Sequence, residues 1–186
     1  MEITRAYVKS ILPHRDPEGH KGTFGKVYCL CGAVGYTGAP VLAASAAVRS
    51  GSGLVFLGVP KDIWPIVAVK CDSAMPSPLP SQQGKLALAA EDAVRQRIDG
   101  CDAVLIGCGM GRSEESDALT RRLIDMDKPL VLDADGINAF ETHIPEIKRR
   151  QGKVTVMTPH EGEFFRADGD LSRGRESGAR AYAARW

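Results

Sequence analysis

Short apolar runs alternate along this chain with longer amphipathic stretches. Apolar runs bounded by glycine or polar residues are typical of buried strands, and capped amphipathic stretches are typical of helices. We predict strands at 25–32, 53–59, 101–107, 128–135 and 152–160. We predict helices at 37–51, 86–98, 113–126, 136–150 (broken before Pro145), 162–169 and 172–186, and a proline-rich loop at 76–85. Strands alternating with helices predict an α/β fold with a parallel sheet.

Composition adds few constraints. The chain has 186 residues, of which 44% are hydrophobic and 25% are charged, and its net charge is +1. This composition is ordinary for a globular protein, so we expect one domain over residues 1–186. The near-neutral charge gives no indication of nucleic acid or an acidic membrane as a partner. No apolar run approaches the roughly 18 residues of a membrane span, and the N-terminal segment lacks an apolar signal core. We therefore expect a cytoplasmic protein.

The five cysteines do not form a recognisable metal or disulfide pattern. Cys29 and Cys31 alternate within the first predicted strand, so they share one face of it. A metal site would need a second pair of ligands, which this spacing does not offer. We predict buried thiols in a reducing compartment.

Two familiar motifs occur in the wrong context. The fragments HRD (14–16), KGTFGKV (21–27) and VAVK (67–70) resemble protein-kinase motifs, but their order is wrong and no DFG is present. The stretch 104–135 resembles half of a dinucleotide-binding fold, but Arg112 stands where the third glycine of the fingerprint belongs. A protein kinase is excluded on this reasoning, and a hydride-transferring Rossmann enzyme remains a weak alternative.

Four unusual loops follow predicted strands: GAVGYTGAP (32–40), GCGMGR (107–112), DADGIN (133–138) and TPHEGE (158–163). The carboxyl ends of parallel strands lie along one edge of a sheet, where ligands bind. The sequence therefore predicts a single pocket built by the four loops.

The residue types in these loops indicate how a ligand would be held. Glycines allow close approach of backbone to a ligand, and amides at the start of the helix after Thr37 would face a phosphate. Asp133 and Asp135 suit a ribose or hydroxyl, and Asn138 suits an amide. His160 and Glu163, three residues apart, would hold a ligand, a magnesium-bound water or each other. Each residue also has a structural explanation as a turn, a helix cap or a satisfied loop side chain.

The motifs HKGTFGKV, GYTGAP, GCGMGRSEESD, VLDADGIN and TPHEGEF follow one another over residues 20–164. In order and spacing they closely resemble those of the ADP/ATP-dependent NAD(P)H-hydrate dehydratase family, a branch of the ribokinase-like superfamily. The segment 169–186 is similar to the helix that follows in that family. The resemblance implies a ribokinase-like three-layer α/β/α fold with a mostly parallel central sheet.

The resemblance also implies a metabolite-repair reaction on hydrated NADH or NADPH. Its hydroxyl is phosphorylated and phosphate is then eliminated, because phosphate leaves far more readily than hydroxide. ADP or ATP is the implied co-substrate, with ADP typical of bacterial members, and Mg²⁺ is the implied cofactor. A homotetramer is the implied assembly.

The resemblance carries roles onto particular positions of this chain. Together with the loop residues named above, the candidate substrate-binding set is Thr37, Gly38, Ala39, Gly107, Gly109, Gly111, Asp133, Asp135, Asn138 and His160. Glu163 is the candidate magnesium ligand, acting through water. Cys108 replaces the usual proline of its loop and Met110 a usual leucine, and neither change removes a backbone contact.

The family continues with a lysine-containing strand, a nucleotide-binding loop and a GSGD-type turn whose aspartate is the base. Here only ADGD at 167–170 approaches that motif, and it lies in the wrong place. We therefore expect the C-terminal part of the domain to be missing, the chain alone to be inactive, and a sheet edge to be left unpaired and prone to association. A vitamin-precursor kinase of the same superfamily and a non-catalytic nucleotide-binding module are the alternatives.

Overall fold

A six-stranded parallel sheet forms the centre of the structure, a computed structural model that describes residues 2–186. Its strands are β1 (Lys26–Leu30), β2 (Leu54–Pro60), β3 (Met75–Leu79), β6 (Ala103–Ile106), β7 (Leu130–Leu132) and β8 (Thr155–Met157). They lie in the order β3-β2-β1-β6-β7-β8, and every neighbouring pair is parallel. A separate two-stranded hairpin consists of β4 (Ser81–Gln82) and β5 (Lys85–Leu86).

An N-terminal helix, α1 (Arg5–Ile11), has no buried residue. Helices further along the chain cover both faces of the sheet. They are α2 (Gly38–Arg49), α3 (Trp64–Lys70), α4 (Glu91–Asp99), α5 (Glu114–Leu123), α6 (Asp135–Asn138), α7 (Glu161–Arg166) and α8 (Arg175–Arg185). Short 3₁₀ helices occupy Lys21–Phe24, Leu88–Ala90 and Ile144–Arg150. In residues 2–186 no helix combines the length and apolar character that crossing a bilayer would require.

The alternation of side chains along β1 divides the core in two. Tyr28 and Leu30 point into one apolar cluster, which also contains side chains of α4 and α5. Cys29 and Cys31 point into the other cluster, together with side chains of α2 and α3. Both cysteines are fully buried, which confirms their prediction as core thiols on one strand face. The predicted three-layer α/β/α fold with a parallel sheet is confirmed.

The predicted proline-rich loop at 76–85 is wrong. Its first half is β3, which pairs with β2 in the register Leu57↔Pro76 and Val59↔Pro78. Proline lacks an N–H group and is tolerated where that side of a strand faces away from the sheet. The two prolines occupy alternate positions, so both missing N–H groups lie on the same side of the strand. Because β3 is an edge strand, one of its sides has no neighbouring strand that would need those donors. The second half forms the β4–β5 hairpin.

All the predicted helices differ in bounds from the observed ones, and two differ in more than their end residues. The helix predicted at 86–98 begins at Glu91, after a 3₁₀ turn. The one predicted at 136–150 is divided into α6 and the 3₁₀ helix Ile144–Arg150, in which Pro145 occupies the first turn. The break therefore falls before Pro145, as predicted. The predicted cap of α5 is also confirmed, because the Ser113 hydroxyl accepts the Ser116 N–H.

Arg150 joins β8 to the segment that precedes β7, although sequence reasoning did not single it out. Its side chain is 3% exposed. The guanidinium donates to the carbonyl oxygens of Ile124, Met126, Lys128 and Val154 and to the hydroxyl of Thr155. Four carbonyl groups would lose a charged donor if this side chain were removed, although Val154 O keeps Leu130 N and Met126 O keeps Lys153 Nζ. We therefore infer that Arg150 holds the β7–β8 side of the sheet together.

We predict that Arg150→Met lowers the free energy of unfolding by about 3 kcal/mol, because buried carbonyl groups lose a charged donor. The matched control is Arg149→Met, since Arg149 is adjacent but makes exposed ion pairs with Asp125 and Glu146. Exposed pairs contribute about 1 kcal/mol or less. Urea unfolding of both variants measures the difference, and equal losses would contradict the role assigned to Arg150.

Candidate substrate site at the carboxyl edge of the sheet

The four loops singled out from the sequence follow four neighbouring strands. They come after β1, β6, β7 and β8, which lie side by side in that order. Hydrogen bonding between the first two continues past the strand ends, since Gly107 N donates to Leu30 O (3.2 Å) and Gly32 N donates to Cys108 O (3.0 Å). The loops are therefore brought to one edge of the sheet, as the sequence predicted.

The loop after β1 leads into the N-terminus of α2. Thr37 occupies the capping position, but its side chain makes no capping hydrogen bond. Gly38 is exposed, and Thr37 and Ala39 are half-buried. With no side chain capping this end, the first amides of α2 are available to an anionic or carbonyl group of a ligand.

Three glycines of the loop after β6 have positive φ angles: 129° at Gly107, 62° at Gly109 and 65° at Gly111. Gly109 packs against the loop after β1, and a Cβ atom there would lie 2.7 Å from Ala39 Cβ and 3.0 Å from Tyr36 Cβ. The predicted close approach at Gly109 is thus to another loop of the site. The resulting surface has backbone from one loop beside a helix N-terminus from the other.

Asp133 and Asp135, predicted to orient a ribose or hydroxyl, also join the loops to one another. Asp133 Oδ1 accepts from the Thr158 hydroxyl (2.8 Å), and Oδ2 accepts from the Cys108 thiol (3.2 Å). Asp135 Oδ2 accepts from Gly111 N (2.8 Å). The two carboxylates therefore link the loops after β6, β7 and β8. Their contact with a ligand stays a prediction.

Asn138 lies in the wall of the site. It is 8% exposed, and its Oδ1 accepts from Arg166 Nε (2.9 Å). Arg112 closes the same side, with Nη1 2.5 Å from Glu141 Oε2. This hydrogen bond with Glu141 raises the pKa of Arg112 above its usual value, so the side chain is cationic at all ordinary pH values.

His160 and Glu163 contact each other. His160 is the capping residue of α7, and its Nδ1 accepts from Gly162 N (3.0 Å) and Glu163 N (3.3 Å). Glu163 Oε2 accepts from His160 N, and Oε1 lies 3.1 Å from His160 Nε2. Of the possibilities raised by the sequence, the structure shows the pairing of the two side chains. The His160 side chain is 67% exposed and accessible to a ligand.

Side chains that could hold a metal ion do not cluster in the part of the chain that the structure describes. Within residues 2–186 no group of three or more histidine, cysteine or acidic side chains is arranged to hold a metal ion. Both oxygens of Glu163 already contact His160. The water-mediated role of Glu163 toward magnesium stays a prediction.

Sequence reasoning missed the contribution of the β4–β5 hairpin. Val34 N donates to Gly84 O (2.9 Å), which joins the hairpin to the loop after β1. Lys85 Nζ donates to Arg112 O (2.7 Å), at the end of the loop after β6. Nothing in the sequence indicated this hairpin, because the prolines and polar residues of 76–85 are typical of a loop. Thr158 was missed too, although it directly follows β8 and the rule that found Asp133 applies to it.

A cavity outside this cluster lies at the β8 edge of the sheet. It has a volume of about 900 Å³ and lies between β8 and α8, where Met157, Phe164, Tyr182 and Trp186 line it. Among the candidate substrate-binding residues only His160 lines this cavity. β8 is the edge strand of the sheet here, and both Val156 within it and Val154 just before it are exposed. The cavity is a groove along this edge, separate from the cluster formed by the other three loops.

The fold is shared with a solved ribokinase-like superfamily protein of Enterococcus faecalis. The TM-score is 0.79, and the match covers 98% of this chain and 62% of that chain at 18% sequence identity, which shows the fold alone. Fold and site thus define a ribokinase-like α/β protein. More particularly, the profile of the NAD(P)H-hydrate dehydratase family matches residues 27–186, and the chain belongs to this family.

Individual relatives agree with this assignment. The chain is 40% identical over 190 residues to a bifunctional NAD(P)H-hydrate repair enzyme of Salinibacter ruber, covering 100% of this chain and 35% of the relative. It is 33% identical over 185 residues to the ADP-dependent (S)-NAD(P)H-hydrate dehydratase of Bacillus subtilis, covering 97% of this chain and 62% of the relative. A structure of the ADP/ATP-dependent NAD(P)H-hydrate dehydratase of Bacillus subtilis, co-crystallised with ATP and Mg²⁺, aligns with a TM-score of 0.71 and 27% sequence identity. The alignment covers 98% of this chain and 62% of that chain. The chain therefore spans less than two thirds of these relatives.

We predict that Gly109→Ala destabilises the protein more than Gly152→Ala. Both glycines have positive φ angles, 62° and 76°, so both variants pay a conformational cost of about 1–2 kcal/mol. A Cβ at Gly152 meets no atom within 4 Å, whereas one at Gly109 collides with Ala39. Overpacking adds about 1–3 kcal/mol at Gly109 alone. Thermal or urea unfolding gives the comparison, and equal losses would show that the two loops do not pack as described.

Proposed function

We propose that the four-loop site binds hydrated NADH or NADPH as the substrate-binding part of a nucleotide-dependent NAD(P)H-hydrate dehydratase. The observation that carries this proposal is the packing of Gly109 against Ala39 at the uncapped start of α2. These are the positions at which the family motifs imply contact with the hydrated cofactor. Membership in the family supports the same substrate over a vitamin precursor.

The proposed reaction removes water from the hydrated nicotinamide ring in two stages. The ring hydroxyl attacks the terminal phosphorus of ADP or ATP, and the phosphate ester is then eliminated as the ring double bond re-forms. The role of the described residues is to bind and orient the ring for both stages. Backbone amides at Gly38 and Ala39 suit the carboxamide or phosphate oxygens of the substrate, and exposed His160 suits a polar group at its far end.

ADP is the proposed co-substrate, because the Bacillus subtilis relative is named as ADP-dependent. Magnesium ions in nucleotide sites are commonly held by one or two carboxylates together with the phosphates. We therefore propose that Mg²⁺ enters with the nucleotide rather than into a site of these residues alone. A homotetramer and a cytoplasmic location are further proposals, which rest on the resemblance to the family.

We further propose that this 186-residue chain binds the substrate without turning it over. The sequence has no GSGD-type turn, and none of its aspartates takes the place of the family's base. The substrate loops are nevertheless joined to one another by Asp133 and Asp135. Binding and catalysis are thus separable properties, and each has its own test.

The binding test uses hydrated NADPH and isothermal titration calorimetry. We expect saturable binding by the unchanged chain, a loss of at least tenfold in affinity for Gly109→Ala, and no more than a twofold change for Gly152→Ala. Folding of each variant is confirmed by circular dichroism. Absence of binding by the unchanged chain, or equal effects of the two variants, would contradict the site.

The turnover test incubates the same chain with hydrated NADPH, Mg²⁺ and either ADP or ATP, and follows the return of the NADPH absorbance. We expect no return above the rate without protein. Measurable regeneration of NADPH would overturn the proposal that the chain is inactive while leaving the substrate assignment in place. Phosphorylation of a vitamin-precursor alcohol under the same conditions would instead favour the kinase alternative.

A further inference from the structure

Cys108 stands where the family usually has a proline, and it brings a thiol into the site. Cys31 lies close by at the end of β1. The parallel register pairs Leu30 with Ile106. Past the strand ends Gly32 N donates to Cys108 O, so Gly107 is an inserted residue and Cys31 is opposite Cys108. Because neighbouring strands lie about 4.8 Å apart, the two Cα atoms are roughly 5 Å apart. Disulfides span Cα distances of about 4.4–6.8 Å.

The backbone between the two cysteines is held in this arrangement. Gly32 N, directly after Cys31, donates to Cys108 O (3.0 Å). Cys108 packs against the apolar cluster that contains Cys31. Contact with the Cys108 thiol, followed by burial, raises the pKa of Cys31 well above its usual value. Both side chains therefore lie on the same face of the sheet and touch.

The register excludes the other buried cysteine of β1. Cys29 pairs with Leu105, three positions before Cys108. Since Cys108 is opposite Cys31, which lies two positions further along β1, the Cα separation from Cys29 is about 8 Å, which is too long for a disulfide. If Cys108 forms an intramolecular disulfide with β1, the partner must be Cys31.

The two thiols differ in their access to solvent. Cys31 is fully buried, whereas Cys108 is half-buried and faces the candidate site. An oxidant from solution therefore reaches Cys108 first, and the buried thiol is placed to resolve the product. This combination of an accessible thiol beside a second one is typical of reversibly oxidised cysteines.

We propose that Cys31 and Cys108 form a reversible disulfide when the protein meets a peroxide. Hydrogen peroxide transfers one oxygen to Cys108, which becomes a sulfenic acid as the peroxide is reduced to water. The sulfur of Cys31 then attacks that of Cys108, the S–O bond breaks, and the departing hydroxide takes the Cys31 proton to leave as water. The net change is loss of two hydrogens from the protein and release of two waters per peroxide.

The disulfide would change the candidate site in two ways. It would fix the loop after β1 to the loop after β6, which otherwise meet only through non-covalent contacts. It would also end the hydrogen bond from the Cys108 thiol to Asp133. Reduction by a dithiol would restore both, so the modification is a candidate means of altering the site under oxidative stress.

The test treats the reduced chain with hydrogen peroxide, blocks remaining thiols and digests it with trypsin without reductant. The tryptic peptides 27–49 and 98–112 contain Cys29 with Cys31 and Cys101 with Cys108. We expect these peptides to be cross-linked, with a mass two hydrogens below their sum, and fragmentation to place the bond between Cys31 and Cys108. Dithiothreitol should separate them.

The variants Cys108→Ser and Cys71→Ser provide the comparison, because both cysteines are half-buried but only Cys108 lies near Cys31. We expect at least a tenfold loss of the cross-link in Cys108→Ser and an unchanged yield in Cys71→Ser. The proposal is overturned if the unchanged chain yields no Cys31–Cys108 bond, if Cys108 proceeds only to sulfinic or sulfonic acid, or if the bond joins two chains.

Discussion

The candidate site depends on close backbone contact between the loops after β6 and β7. Gly107 lies directly against Asp133 O, and Gly136 lies directly against Ile106 O, so a Cβ atom at either position would overlap a carbonyl group. Gly107 has a φ of 129°, which side chains disfavour in any case. Because these two glycines allow the loops to meet, Asp133 can reach Cys108 and Asp135 can reach Gly111 N. The hydrogen bonds that join the loops follow from this contact.

The sequence was sufficient to predict the parallel α/β fold and the four loops, because both depend on local patterns. Apolar runs such as 101–107 read as buried strands, and a glycine or acidic cluster directly after each run marks its carboxyl end. The sequence does not show that β1, β6, β7 and β8 are neighbours in the sheet. The assumption of one parallel sheet was nevertheless enough to place their four loops at the same edge. The resemblance to the family then supplied a function that the residue types alone left open.

Other features depend on tertiary context that local patterns do not contain. Pro76 and Pro78 argue against a strand unless the segment lies at a sheet edge, and the position of an edge follows only from the complete strand order. Lys85 contributes to the site only because the hairpin reaches the loop after β6. Asp135 was expected to face a ligand, but the orientation that brings it to Gly111 N depends on how two loops pack. The same holds for Arg150, three of whose carbonyl acceptors precede it by 22 to 26 positions.

The candidate site and the β8 edge differ in how many of their buried polar groups have hydrogen-bond partners. Around Asp133 and Asp135 the named polar side chains have partners within residues 2–186. In the groove beside β8, by contrast, Tyr182 Oη and Trp186 Nε1 are buried without a hydrogen-bond partner among the described residues. Buried donors without partners cost about 1–3 kcal/mol each, whereas the hydrogen bonds between the loops carry no such cost. His160 lies between the two regions, because it caps α7 and also lines the groove.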